Sequence, residues 1–206
     1  MVVIEIGSTE TRYHISKAFL THYSEYFRKA LNGSWKEAEE NKVTLEDIEP
    51  AEFNVFVEWL YVQKLPQDEA DWQRVADGSE GHWVQYGRAH LLQVKLYVLA
   101  DRLAVPTLRR LLNRILVGSA RFYPFVPRYE DVTHAFNHLP PTDPILDYFV
   151  GAFFMQWDSN IHRLRSGDPL SQLPQDFLLR FMLKVGKERV RLGTCKDPAH
   201  MLDLCS

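Results

Sequence analysis

The chain has 206 residues, 46% of them hydrophobic, enough to bury roughly 70% of its unfolded surface without metal or disulfide staples. Its 27 acidic and 24 basic residues leave a formal charge of -3, which excludes the dense one-sided excess of Lys and Arg that phosphate binding requires. Two cysteines, Cys195 and Cys205, are too few for a disulfide framework and fit a reducing compartment.

In VVIEIG, Val2, Ile4 and Ile6 alternate against Val3 and Glu5, the period of a half-buried strand with Glu5 on its outer side. Gly7, Ser8 and Thr9 can turn the chain into a second strand, TRYHI, with Tyr13 and Ile15 on one face, so residues 2 to 15 read as a hairpin. Ser16 precedes KAFL and is placed to cap a short helix through its hydroxyl. Ser24 starts the next helix, in which Phe27, Ala30 and Leu31 share a face with Tyr23, and Asn32-Gly33 stops it. The acids of KEAEEN are expected to stay in water ahead of a brief strand, KVTL. Pro50 suits the first turn of a third helix, where Phe53, Phe56, Val57 and Leu60 recur at helical spacing.

Residues 66 to 90 lose apolar periodicity and carry glycines and acids, so they read as an exposed insertion with one short turn of helix. Periodicity returns with Leu92, Leu96, Leu99 and Leu103, and again after Pro106 with Leu108, Leu111, Leu112 and Ile115, predicting a helix hairpin. Arg109, Arg110 and Arg114 fall at helical spacing on a solvated face. Prolines then divide the chain into helices near 129 to 139, 144 to 157 and 174 to 190, with Asp143 as a start signal. No apolar run approaches a membrane span, and MVVIEIGSTE lacks the basic region and apolar core of a signal peptide. The expected location is the cytosol or nucleus.

The stretches ISKAFLTHYSEYFRKALNGSWKEAEENKVTL, FNVFVEWLYVQKL and LYVLADRLAVPTLRRLL, in that order of elements, resemble the BTB/POZ family. The likeness runs from Val2 to about Val117 and is nearest to fungal members with a helical extension. Family members often have a histidine before the lysine of the first helix, where this chain has Ser16. The resemblance implies an α+β fold, a small sheet covered by helices, over residues 1–117 with the insertion at about 66–90. A packed all-helical extension follows over 118–206. It also implies a non-catalytic protein–protein interaction module, an adaptor or an oligomerisation domain, that needs no cofactor and binds other proteins.

A narrower implied role is substrate adaptor of a cullin-type ubiquitin ligase. Such adaptors grip the scaffold with a hydrophobic residue, any residue and a glutamate near the start of the fourth helix. The aligned positions here are Gln93, Val94 and Lys95, which lack both the apolar and the acidic member. Many dimeric members exchange an extra N-terminal helix and strand, whereas this chain starts at the first core strand, like the short form that more often meets a different protein or stays monomeric. Monomer and homodimer both stay open, as does pairing with another BTB protein.

Candidate partner-binding residues are Trp72 and Trp83 of the insertion, the acids Glu37, Glu39 and Glu40, and Gln93 and Lys95. Trp is enriched at partner interfaces, and the alternative for both tryptophans is to pin the loop onto the domain. For Trp35, within GSWKEA, packing is the expected role. A different function class, a metal-dependent hydrolase, would use His134 and His138, four apart on one helix face, or Cys195, His200 and Cys205. Neither set supplies the four ligands of a structural zinc site or the glutamate of a metalloprotease helix. Ser34 follows Gly33 without the second glycine of a nucleophile elbow, and DGSEG at Asp77 to Gly81 lacks the lysine of a phosphate loop. A transcriptional regulator would need a separate DNA-binding segment, and none is evident after Val117.

Overall fold

The computed structural model describes residues 1–8, 10–76, 82–119, 127–155 and 173–191. The chain divides into two compact units, Met1–Phe122 and Tyr123–Ser206.

The first unit starts with strands β1 (Val2–Ile6) and β2 (Thr11–Ile15), paired antiparallel with Ile4 opposite Tyr13. Gly7 makes the turn with φ +70°, and a Cβ there would press on the Ile48 carbonyl oxygen at 3.2 Å, so both backbone and space favour glycine. The third strand, β3 (Lys42–Leu45), pairs parallel to β1, which places β1 centrally in the order β2-β1-β3. Val2, Ile4 and Ile6 are fully buried, and Ile15, Val43 and Leu45 extend their apolar face. Glu5 corrects the alternation. It is only 4% exposed, because Arg12 at 3.0 Å and Lys42 at 2.8 Å close over it from the flanking strands. The hydrogen bond from Lys42, the nearby charges and the bond from Arg12 outweigh burial and hold its carboxyl below the usual carboxylate range.

Between β2 and β3 lie α1 (Lys17–Tyr23), α2 (Glu25–Asn32) and the short α3 (Lys36–Glu40). Ser16 stands at the N-terminus of α1, but its hydroxyl makes no cap; its backbone N–H donates to the Tyr61 hydroxyl instead. Ser24 fulfils its expected role. Its Oγ accepts from Phe27 N at 3.1 Å and donates to the Leu103 carbonyl at 2.6 Å, so one buried hydroxyl caps α2 and ties it to a turn 79 residues away. Ser24→Ala removes both bonds and leaves a buried carbonyl short of its donor, an expected loss of about 2 kcal/mol. Urea denaturation measures it; a change below about 0.5 kcal/mol, the level of a neutral surface substitution, would contradict the Leu103 bond.

Helix α4 (Pro50–Val62) carries the centre of this core. Phe53, Phe56 and Leu60 are fully buried as the spacing predicts, but Val57 is only half-buried, and Val55 and Trp59 are buried in addition. The helix is covered on more than one stripe. Around it Tyr13 meets Phe53 edge-on at 4.8 Å and Tyr23 meets Trp59 at 5.5 Å.

Over its described residues, 66–76 and 82–90, the expected insertion holds more helix than the one short turn read from the sequence. Asp68 caps α5 (Glu69–Val75) by accepting from Asp71 N at 2.8 Å, and α6 (His82–Arg102) begins well before the expected return of periodicity. Trp72 is 3% exposed, and burial of this one large side chain fastens a segment with few other apolar residues. Helices α6 and α7 (Pro106–Ser119) form the expected hairpin, with Leu92, Leu96, Leu99, Leu103, Leu108 and Leu112 buried. Ala104 turns it at φ 51°, and Val105 N donates to the Ala100 carbonyl at 2.8 Å, the bonding of a Schellman-type helix end. Arg109 is not merely solvated: it pairs with Asp101 at 3.1 Å and lies over the Tyr97 ring.

In the second unit the described helices are α8 (Tyr129–His138), α9 (Pro144–Met155) and α10 (Gln175–Arg191). Asp143 starts α9, its carboxylate accepting from Ile145 N at 3.0 Å. Phe177 of α10 is fully buried between Phe136 at 5.4 Å and Phe153 at 5.2 Å, both edge-on. Arg180 lies over Phe136 and reaches Asp147 and Asp176 at 3.0 and 2.9 Å.

Candidate functional site

Large apolar side chains exposed on rigid elements mark where a folded domain meets other molecules, and among the described residues the first unit has two such places. Phe19 of α1 and Tyr61 and Val62 of α4 are 40%, 46% and 54% exposed. The Phe19 and Tyr61 rings touch at 4.9 Å, and Tyr61 is fixed by accepting from Ser16 N at 3.2 Å. Behind them Tyr23 and Trp59 join this face to the core. The patch is rigid because α1 and α4 both bury their opposite sides, Leu20 on one and Phe56 and Leu60 on the other.

Trp35 is the second place. It is 67% exposed, which overturns the expected packing role. Its indole edge lies against the Gly33 backbone, where a Cβ would come within 2.7 Å of the ring. Glu37, Glu39 and Glu40 follow on α3, with Glu39 and Glu40 exposed, Glu37 half-buried and Glu40 paired with Lys36 at 3.4 Å.

The other sequence-derived candidates separate from these surfaces. Trp72 is a core residue. Trp83 falls on the first turn of α6, and its side chain lies outside the described residues. Gln93 is 8% exposed. Lys95 joins α6 to the start of α4 through Glu49 at 2.6 Å. Beside that pair Glu52 accepts from Glu49 N at 3.1 Å in a capping box. Burial drives the Glu52 carboxyl up to about 7, against the lowering pull of that backbone bond and of Lys95, with Glu49 and Asp47 adding to the rise. Asp47 is itself paired with Arg102.

His134 and His138 stack at 4.4 Å, and the His138 Nδ1 lies 2.8 Å from the His134 carbonyl oxygen, so that nitrogen is engaged with the backbone. Cys195, His200, Cys205 and residues 77–81 lie outside the described residues. Among the described residues no three His, Cys, Asp or Glu side chains converge as metal ligands, and no helix is long and apolar enough to cross a membrane.

Sequence reasoning missed Phe19, Tyr61 and Val62. The signal for Tyr61 and Val62 was present: FNVFVEWLYV is apolar well beyond one helical stripe, more than a helix buried on a single face needs.

Residues 2–79 match the family model described as BTB/POZ domain. Over 67 residues the chain is 35% identical to "BTB and MATH domain-containing protein 15" of Caenorhabditis elegans, covering 32% of this chain and 24% of that protein. The chain therefore spans about a quarter of the length of the curated relative it matches. The three-stranded sheet, the Ser24-capped α2, the buried α4 and both exposed aromatic places fall inside the matched residues. This chain carries a BTB/POZ domain over residues 2–79.

Proposed function

We propose that this chain is a non-catalytic protein-interaction module that binds another protein through the α1/α4 face of its BTB/POZ domain. The observation that carries the reading is the Phe19–Tyr61–Val62 patch, three large apolar side chains held in water on two helices that are otherwise anchored in the core. Pre-ordered aromatic and aliphatic groups of this kind lose little entropy on binding and supply most of an interface's energy. A BTB domain is typically a non-catalytic interaction domain, which supports the same reading.

Against the narrower role of cullin-ligase adaptor stand the buried Gln93 and the engaged Lys95 at the positions where the family places its apolar and acidic grip. Affinity capture of the tagged chain from its native extract, read by mass spectrometry, tests both readings. The specific partners of the wild type are expected to fall at least about 30-fold with Phe19→Asp plus Val62→Asp, the size of a lost hot spot, while circular dichroism and melting stay unchanged. Undiminished recovery on a folded variant would sink the proposed face. A cullin among the specific partners would restore the adaptor role despite Gln93 and Lys95.

A further inference from the structure

The second unit exposes a surface that the BTB/POZ domain does not account for. On α10, Leu178, Leu179, Met182 and Leu183 are 37%, 55%, 70% and 57% exposed. They recur at steps of one, three and one, so they form a single stripe beside the buried ridge of Phe177 and the half-buried Phe181. The helix is held firmly behind that stripe: Phe181 packs against Phe153 and Phe154 at 5.7 and 6.4 Å, and Arg180 is fixed by Asp147 and Asp176. A continuous apolar row on a fixed helix is not what a fully solvated helix carries.

We infer that the α10 stripe is a self-association surface, closed by α10 of a second copy of this chain running antiparallel across a two-fold axis. Sequence symmetry and charge on α10 favour this occupant. Turning the helix end for end about a point between Arg180 and Phe181 sets Leu178 opposite Leu183 and Leu179 opposite Met182, so the stripe matches its own reverse. The same operation sets Gly186, which has nothing within 4 Å of where a Cβ would stand, opposite Gln175 and lets the backbones approach closely. Asp176, which pairs with Arg180, flanks one end of the stripe, and the exposed Lys187 and Arg189 lie toward the other, while Lys184 is turned inward over the Phe154 ring. An antiparallel pair brings each acidic end to the partner's basic end, and a parallel pair would oppose like charges.

Area sets the expected strength. The four side chains expose roughly 400 Å², about half of what one partner contributes to a standard interface. Met155, just beyond Phe154 at the end of α9, is a further 75% exposed. The association is therefore expected to be reversible and dependent on concentration.

Sedimentation equilibrium of the full chain over a concentration series tests the inference. The weight-average mass is expected to rise from the 24.1 kDa monomer toward twice that value. Met182→Glu, a substitution of an exposed residue, is expected to weaken association at least about 30-fold with an unchanged dichroism spectrum. Asp176→Lys alone is expected to weaken it too, and Asp176→Lys with Lys187→Asp to restore it. A chain that stays monomeric at every concentration overturns the inference and leaves the stripe to a different protein. A dimer that survives Met182→Glu but is lost with Phe19→Asp also overturns it, because self-association would then run through the BTB/POZ domain. Loss with Met182→Glu without any response to the charge reversals overturns the antiparallel arrangement.

Discussion

Phe56→Asp is expected to abolish the folded state of the first unit. Phe56 is fully buried on α4, tilted against Phe53 at 5.5 Å and stacked on Trp59 at 6.4 Å. Removing the ring costs about 3–5 kcal/mol, and an uncompensated buried carboxylate adds several more, together comparable with the roughly 5–15 kcal/mol that hold a domain of this size folded. Limited proteolysis mapped by mass spectrometry gives the cleanest reading. Cuts within Pro50–Val62 should be absent in the wild type and rapid in the variant. Protection equal to that of the wild type would mean that Phe56 is not in the core. Glu39→Lys serves as the control: Glu39 is exposed on α3, and its variant is expected to resist cleavage as the wild type does.

Glu52→Gln is expected to make the protein more stable at pH 8 and to change little at acid pH. In the folded chain Glu52 holds its proton up to about pH 7, against a value of 4.5 for the free side chain. The unfolded chain therefore ionises first, and folding between those two values takes up a proton. Stability from this group is full below pH 4.5, falls as pH rises toward 7, and by pH 8 is lower by up to about 3 kcal/mol. Glutamine keeps the capping acceptor for Glu49 N, since Gln serves at this position of a capping box, but carries no charge to bury. Urea midpoints of both proteins at pH 4.5 and pH 8 test the sign. The advantage of the variant should appear only at the higher pH. Equal differences at both values would mean that the Glu52 carboxyl titrates normally in the fold.

Elements whose apolar residues follow one clean period were legible. The β1–β2 hairpin shows in the alternation of Val2, Ile4 and Ile6, and the α6–α7 pair in its leucines either side of Pro106. Ser24 and Asp143 were legible as helix starts because capping is a local exchange between a side chain and the next few backbone amides. By contrast α5 has few apolar residues besides Trp72, so no period announces it; its Asp68 cap was the readable clue. Short acidic α3 was hidden for the same reason.

The interaction surfaces were less legible than the fold. Trp72 and Trp35 are the same residue type in similarly polar stretches, yet one is 3% exposed and the other 67%. Nothing in the immediate sequence distinguishes them, because burial depends on which distant element covers a position. Glu5 makes the converse case, a charge in an outward register that Arg12 and Lys42 shut away from water.

The sequence by itself determined the β1–β2 hairpin, the α6–α7 pair and the Ser24 and Asp143 helix starts, which rest on local spacing, and its quoted stretches carried the resemblance to the BTB/POZ family. Only the tertiary structure decided that Trp72 is core and Trp35 surface, that Glu52 sits where its proton is held to about pH 7, and that Phe19 meets Tyr61. It alone also leaves the α10 stripe uncovered. The physical reason is that periodicity tells which side of an element is apolar, whereas exposure and pKa depend on what other parts of the chain bring against that side.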